Sequence, residues 1–293
     1  MVTPYDNSGE IDYDGLGKFI KFLEAGGADG LFAVCQSSEM FFLSLEEKMK
    51  LAEFVKKESS LTVIASGHTQ TGQVEQLDAM KAMAQTGVDA VVLLSNAFNT
   101  EDEDDDALLN RLDWFLNNFN STIPLGIYEC PYPYKRLLSD RVFKYMVNTG
   151  RFRIMKDTSC RADIMESRLK IIGEANFGLY NANAETIAWS SLHGAAGYSG
   201  VHANISPFLV KYVMDNPIPG SIFEARAHGL LYELSKFMAS GHYPAIAKVM
   251  LKQMGIFKNC SSRAMDSSLI TASEIETAKI FTERINEFER AVK

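Results

Sequence analysis

The sequence predicts an α/β fold, a (β/α)8 TIM barrel with a C-terminal helical extension. Three features predict it. Short apolar runs recur: LFAVC (31–35), LTVIAS (61–66), AVVLL (90–94), PLGIYEC (124–130), FRIMK (152–156), FGLYN (177–181) and GYSGV (197–201). They are continuous rather than alternating, as in parallel strands covered on both faces. Segments of helical periodicity separate them, and GADG (27–30), GVDA (87–90) and GAAG (194–197) repeat one helix-to-strand junction.

Taken in order, MVTP (1–4) is expected to supply an eighth strand, cut short, that closes the barrel. Leu16, Phe19, Ile20 and Leu23 then fall on one stripe of a helix. Ser44 and Glu47 form a capping box that opens a second helix. EDEDDD (101–106) reads as a solvated loop entering the helix ALLNRLDWFLNNF, whose N-terminus favours acidic residues. Ser139 caps a helix built on Val142, Phe143, Met146 and Val147. Glycines at 26, 27, 87, 150, 173 and 194 end helices. From Ser206 onward four helices follow, the first completing the barrel. The division is therefore a barrel over 1–215 and a packed helical extension over 216–293, in one structural domain. An open doubly wound sheet would want a glycine-rich phosphate loop, and neither GxGxxG nor GxxxxGK[ST] occurs.

Composition narrows the function. The chain has 293 residues, 46% hydrophobic, with a formal charge of −8. That balance argues against nucleic acid, whose phosphates need clustered Lys and Arg. No apolar run approaches the roughly 20 residues that span a bilayer. The N-terminus shows no basic stretch followed by an apolar one, and Cys35, Cys130, Cys160 and Cys260 show no CxxC spacing. A reduced, cytoplasmic protein is the simplest expectation.

Barrel chemistry gathers where strands finish. The strand ends here present Gln36, Ser37, Ser38 and Glu39; then His68; Phe98; Tyr128 to Cys130; Lys156 to Thr158; Asn181, Asn183 and Glu185; and Ser199 and His202. A lysine in a partly dry barrel mouth loses stability as an ammonium ion, so its pKa falls. The neutral amine attacks a ketone to give an imine, an electron sink for making or breaking the adjacent C–C bond. A lysine there also suits a snorkelling role, its stem buried and its head in water. Tyr128, ending the neighbouring strand, can pass protons to and from such an imine. Amides and hydroxyls at Ser37 and Ser38 can receive a carboxylate. A metal-dependent lyase or hydrolase is the rival enzyme class, with Cys35, Cys130, His68 and His202 converging on zinc.

Together these segments resemble the Schiff-base family of dihydrodipicolinate synthase and N-acetylneuraminate lyase, over nearly the whole chain. VTPYDNSGEID is similar to the family's opening, QSSE (36–39) to its Thr-Thr-Gly-Glu turn, and YECP (128–131) to Tyr-Asn-x-Pro. MKDTS (155–159) resembles the segment carrying the imine lysine, GYSGVHAN (197–204) the last strand and its exit, and MGIFKNCSSRAM (254–265) the late helical region. The resemblance implies an imine on Lys156, a proton relay through Tyr128, and substrate contacts from Gln36, Ser37, Ser38, Phe98, Glu185 and Ser199. It implies a 2-oxo acid such as pyruvate and an aldehyde as substrates, no metal or organic cofactor, and a homotetramer or homodimer. Gln36 and Phe98 stand where the family carries relay hydroxyls, Pro133 where the synthases carry an arginine, and Ala184 beside Glu185 where the lyases carry a second acid. A related aldolase with a different second substrate is therefore expected. The alternative is a 2-oxo-acid binder that has lost catalysis.

Overall fold

A computed structural model describes residues 1–98, 102–239 and 242–292. One parallel sheet of seven strands forms its centre: β1 (Gly30–Phe32), β2 (Thr62–Ala65), β3 (Ala90–Leu94), β4 (Leu125–Tyr128), β5 (Phe152–Asp157), β6 (Gly178–Asn181) and β7 (Gly197–Tyr198). Each strand pairs with its sequence neighbours, in the order β1 to β7. All five residues of β3 are buried, which is why the apolar runs are continuous.

Helices α1 (Tyr13–Ala25), α2 (Leu45–Glu58), α3 (Gln73–Ala84), α4 (Asp105–Asn118), α5 (Asp140–Asn148), α6 (Ala162–Ile172), α7 (Ile187–Leu192) and α8 (Pro207–Asp215) alternate with the strands. The expected stripe of α1 is buried at Leu16, Phe19, Ile20 and Leu23. Each such side chain contributes roughly 1.5–3 kcal/mol. The capping box of α2 is formed by Ser44 and Glu47, and Ser139 caps α5 through the Val142 amide. Of the acidic run, Glu101 lies outside the described residues. Asp104 caps α4, while Asp105 and Asp106 pair with Arg136 and Arg141. The described part of the run is solvent-exposed or half-exposed and leads into the helix N-terminus, as expected.

The eighth strand differs from expectation. Residues 1–4 form no strand. The Met1 nitrogen donates to Phe32 O at 2.8 Å and the Val2 amide to Asn204 Oδ1 at 3.1 Å. The segment thus crosses the seam between β1 and the turn after β7 on two hydrogen bonds. It then folds back, with Tyr5 bridging Ile11 and Asp12 N donating to Pro4 O.

After α8 come α9 (Ile222–Ala239), α10 (Ala245–Gln253) and α11 (Ala272–Val292). Tyr212 of α8, Phe223 of α9 and Phe288 of α11 share one aromatic cluster. A buried ion pair joins Lys248 of α10 to Glu39 in the turn after β1. The second carboxylate oxygen of Glu39 accepts from Ser262 Oγ (2.8 Å), Arg263 N (2.6 Å) and Ala264 N (2.8 Å). These bonds hold Glu39 at φ 63°, a left-handed conformation unfavourable for a side chain with a Cβ.

Candidate active site

Strands β4 and β5 run in register so that Tyr128 lies directly opposite Lys156. Successive residues on a strand face opposite ways. Tyr128 and Lys156 therefore share the inner face, while Glu129 and Asp157 meet Arg168 behind it. The Lys156 Nζ lies 4.6 Å from the Tyr128 ring centroid and 5.6 Å from that of Phe32. Those two rings meet edge to face at 5.8 Å. Burial pulls the Lys156 pKa below its ordinary value, partly offset by the nearby Cys35 and Cys130 thiols. Burial likewise holds Tyr128 well above the usual phenol range, so it is a neutral proton donor.

The 3₁₀ turn Gln36–Ser38 adjoins this pair. The Tyr128 hydroxyl donates to Gln36 Oε1 at 3.3 Å. Ser37, Ser199, Asn204, Cys35 and Lys156 line one cavity of about 90 Å3 along the seam between β1 and β7. Ser37 is buried and its Oγ accepts from the Tyr243 hydroxyl at 2.6 Å.

Ser38, Phe98 and Glu185, three of the expected substrate contacts, do not line that cavity. Ser38 has its amide on Cys35 O, its hydroxyl on the same oxygen at 2.7 Å, and accepts from Cys35 N at 2.8 Å. Both groups close the turn and leave no donor for a ligand. Phe98 is 2% exposed and packs edge to face on His68 and Phe115, so it is a core side chain. Glu185 sits on the surface, paired with Lys236 of α9. Sequence reasoning missed Tyr243, Asn204 and Arg168. None carries a local pattern that marks it.

The four candidate zinc ligands do not converge, and among the described residues no three His, Cys, Asp or Glu side chains form a metal-holding group. His68 Nε2 accepts from Leu94 N at 2.7 Å, and His202 Nδ1 meets the Tyr198 hydroxyl at 2.6 Å. Burial lowers His68 to about 3, so it stays neutral in the fold. Unfolded, it would titrate near 6.5. Between these values the unfolded chain binds the extra proton, so stability falls as pH drops through the window, by up to about 1.4 kcal/mol per pH unit. A His68→Gln variant is expected to show a shallower loss of urea resistance between pH 6.5 and 4. A slope equal to that of the native chain would contradict this.

A family profile for the dihydrodipicolinate synthetase family matches residues 1–269. This chain belongs to the dihydrodipicolinate synthetase family. It is thereby a Schiff-base-forming lyase or aldolase of the class I type, working through a lysine imine. A 4-hydroxy-tetrahydrodipicolinate synthase of Bacillus velezensis is 30% identical over 260 residues, covering 87% of this chain and 88% of its own length. One from Oceanobacillus iheyensis is 26% identical, covering 87% and 86%. A dihydrodipicolinate synthase structure from Bacillus anthracis superposes with TM-score 0.85 at 18% identity, over 97% of this chain and 95% of that one. CdNal from Clostridium difficile, solved with mannosamine, gives 0.83 at 19%, over 97% and 96%. The dihydrodipicolinate synthetase fold of these neighbours is the barrel expected from the sequence. No helix among the described residues is long and apolar enough to cross a membrane.

Proposed function

We propose that this enzyme condenses pyruvate, or a related 2-oxo acid, with an aldehyde, or cleaves the corresponding adduct, through an imine on Lys156. The observation that carries this is the Lys156 amine 4.6 Å from the Tyr128 ring, on paired strand ends, beside a cavity lined by Ser37 and Ser199. The neutral amine adds to the 2-oxo carbon. Tyr128 protonates the departing oxygen, which leaves as water, and the imine forms. Loss of a proton from the 3-carbon gives the enamine that attacks the aldehyde carbon. Run backwards, the same steps release the 2-oxo acid. Gln36 orients Tyr128 by accepting its proton bond, but a carboxamide has no hydroxyl to continue a relay.

The second substrate differs from that of the synthases. The position of their arginine is Pro133, and the nearby Arg136 is engaged by Glu103 O at 2.8 Å and Asp105 at 3.3 Å. Arg136 is thereby committed to the segment entering α4 rather than to a second carboxylate. The same reading takes residues 1–215 as barrel and 216–293 as extension. It makes the enzyme cytoplasmic, free of metal or organic cofactor, and assembled as a homotetramer or homodimer.

Borohydride reduction in the presence of pyruvate, followed by peptide mapping, tests the proposal. One reduced adduct on the peptide containing Lys156 is expected. Lys48 and Lys248 are the rivals, since burial lowers each to about 8. Both are occupied, Lys48 by Thr69 Oγ1 at 2.6 Å and Lys248 by Glu39 and Ser261 O. An adduct on either, or none at all, would overturn the assignment.

A further inference from the structure

We propose that Tyr243 and Asn204 set the polarity of Ser37, making its hydroxyl the hydrogen-bond donor that receives the 2-oxo acid's carboxylate. The inference rests on the imine reading and on Ser37 as the carboxylate contact, and adds the two residues that orient its hydroxyl. Tyr243 is the positioning residue. It is brought to the site by the segment leading into α10.

Each proton along this chain of groups has one place to go. The amide of Asn204 has one permitted orientation. Its Oδ1 accepts from the Val2 amide at 3.1 Å, a group that can only donate. Its Nδ2 donates to Val201 O at 3.1 Å, a group that can only accept. The remaining Nδ2 hydrogen points at the Tyr243 hydroxyl oxygen, 3.3 Å away. That oxygen is therefore an acceptor toward Asn204, and its own proton must go elsewhere. Ser37 Oγ lies 2.6 Å from it. Tyr243 is half-buried, with its hydroxyl between Asn204 and Ser37, and the loss of water around that hydroxyl raises its pKa, so the proton stays on the phenol. A buried donor without an acceptor is costly, so Tyr243 donates to Ser37. The serine oxygen is then occupied as acceptor, and the proton left to it is free to turn into the cavity that Ser37 shares with Lys156. A donor held there suits an anion, because a hydrogen bond to a carboxylate is about twice as strong as a neutral one. A serine without this chain could present either its proton or its lone pair, and would discriminate less.

Adduct trapping on Lys156 with two probes tests this: pyruvate, and its neutral methyl ester. Ser37→Ala is expected to raise the half-saturating pyruvate concentration about tenfold to a hundredfold, and that of the ester less than about threefold. Tyr243→Phe keeps the ring and is expected to raise the pyruvate value about three- to tenfold, again sparing the ester. Ser37→Thr, which keeps the hydroxyl, should restore near-native values. The double variant Ser37→Ala with Tyr243→Phe should be no worse than Ser37→Ala alone, since Tyr243 acts through Ser37. Equal shifts for acid and ester, or additive losses in the double variant, would overturn the inference and leave Tyr243 a packing residue. Absence of any Lys156 adduct in the native enzyme with either probe would instead overturn the imine reading beneath it.

Discussion

Lys156→Ala is expected to abolish the borohydride-trapped adduct and to lower turnover by about 10⁴-fold or more, because the nucleophile itself is gone. Lys156→Arg should do the same despite keeping a cation, since a guanidinium stays protonated at any working pH. That pair of variants separates nucleophilicity from charge. Tyr128→Phe should behave differently. The ring still packs on Phe32 and still faces the amine. Only the proton donor is lost, so adduct still forms, while turnover falls about 10²- to 10⁴-fold. The sign of the pH dependence follows from burial. Lys156 is protonated at low pH and gives up its proton at a pH below the ordinary 10.5. Trapping rates at saturating 2-oxo acid should therefore climb as pH rises and reach their plateau before 10.5. A rate that falls with rising pH, or a Lys156→Ala enzyme that still traps pyruvate, would remove the lysine from the chemistry.

The sequence made some of this arrangement legible and concealed the rest, for physical reasons. A strand buried on both faces leaves a continuous apolar run, so β3 announces itself in AVVLL. Caps are local, so Ser44 with Glu47 and Ser139 could be assigned from spacing alone. Lys156 and Tyr128 stood out because strand ends in a parallel barrel face one rim. Ser37 and Ser38 looked alike as letters. The turn separates them, because the backbone passing into left-handed Glu39 folds the Ser38 hydroxyl onto Cys35 O and leaves Ser37 on the cavity. Phe98 and Glu185 sit at the right positions in the chain. One turns into the core and the other out to Lys236, which neighbouring residues do not dictate. Tyr243 lies 206 residues from the serine it touches. A contact of that separation leaves no periodicity to read. Arg168 was harder still. A basic residue on an amphipathic helix reads as part of a solvated face, and only the packing of α6 behind β4 and β5 reveals two acids waiting for it.

Arg168→Met is expected to destabilise the fold by about 3–5 kcal/mol, the usual consequence of removing one member of a buried charge cluster. The Arg168 side chain is 1% exposed, and those of Glu129 and Asp157 are fully buried. The guanidinium reaches both carboxylates and also donates to Leu138 O at 3.3 Å. Glu129 is further held by the Leu138 amide at 2.8 Å. Burial already raises the Glu129 pKa despite the arginine beside it, so with the arginine gone the folded protein should take up a proton there. A surface pair such as Lys50–Glu46 is worth far less and weakens in salt. The Arg168 loss should be nearly the same at low and high ionic strength, which urea denaturation at two salt concentrations would measure. The cluster also bears on catalysis. Glu129 follows Tyr128 and Asp157 follows Lys156, so one guanidinium ties the ends of β4 and β5 from the outer face. Arg168→Lys retains the charge but cannot fork between two carboxylates. It should recover part of the stability while adduct formation on Lys156 remains slow, because the spacing of amine and phenol is no longer fixed from behind. A stability loss below about 1 kcal/mol for Arg168→Met would mean that attraction and desolvation nearly cancel in this cluster. Unchanged adduct kinetics in Arg168→Lys would mean that the sheet alone keeps Tyr128 and Lys156 in register.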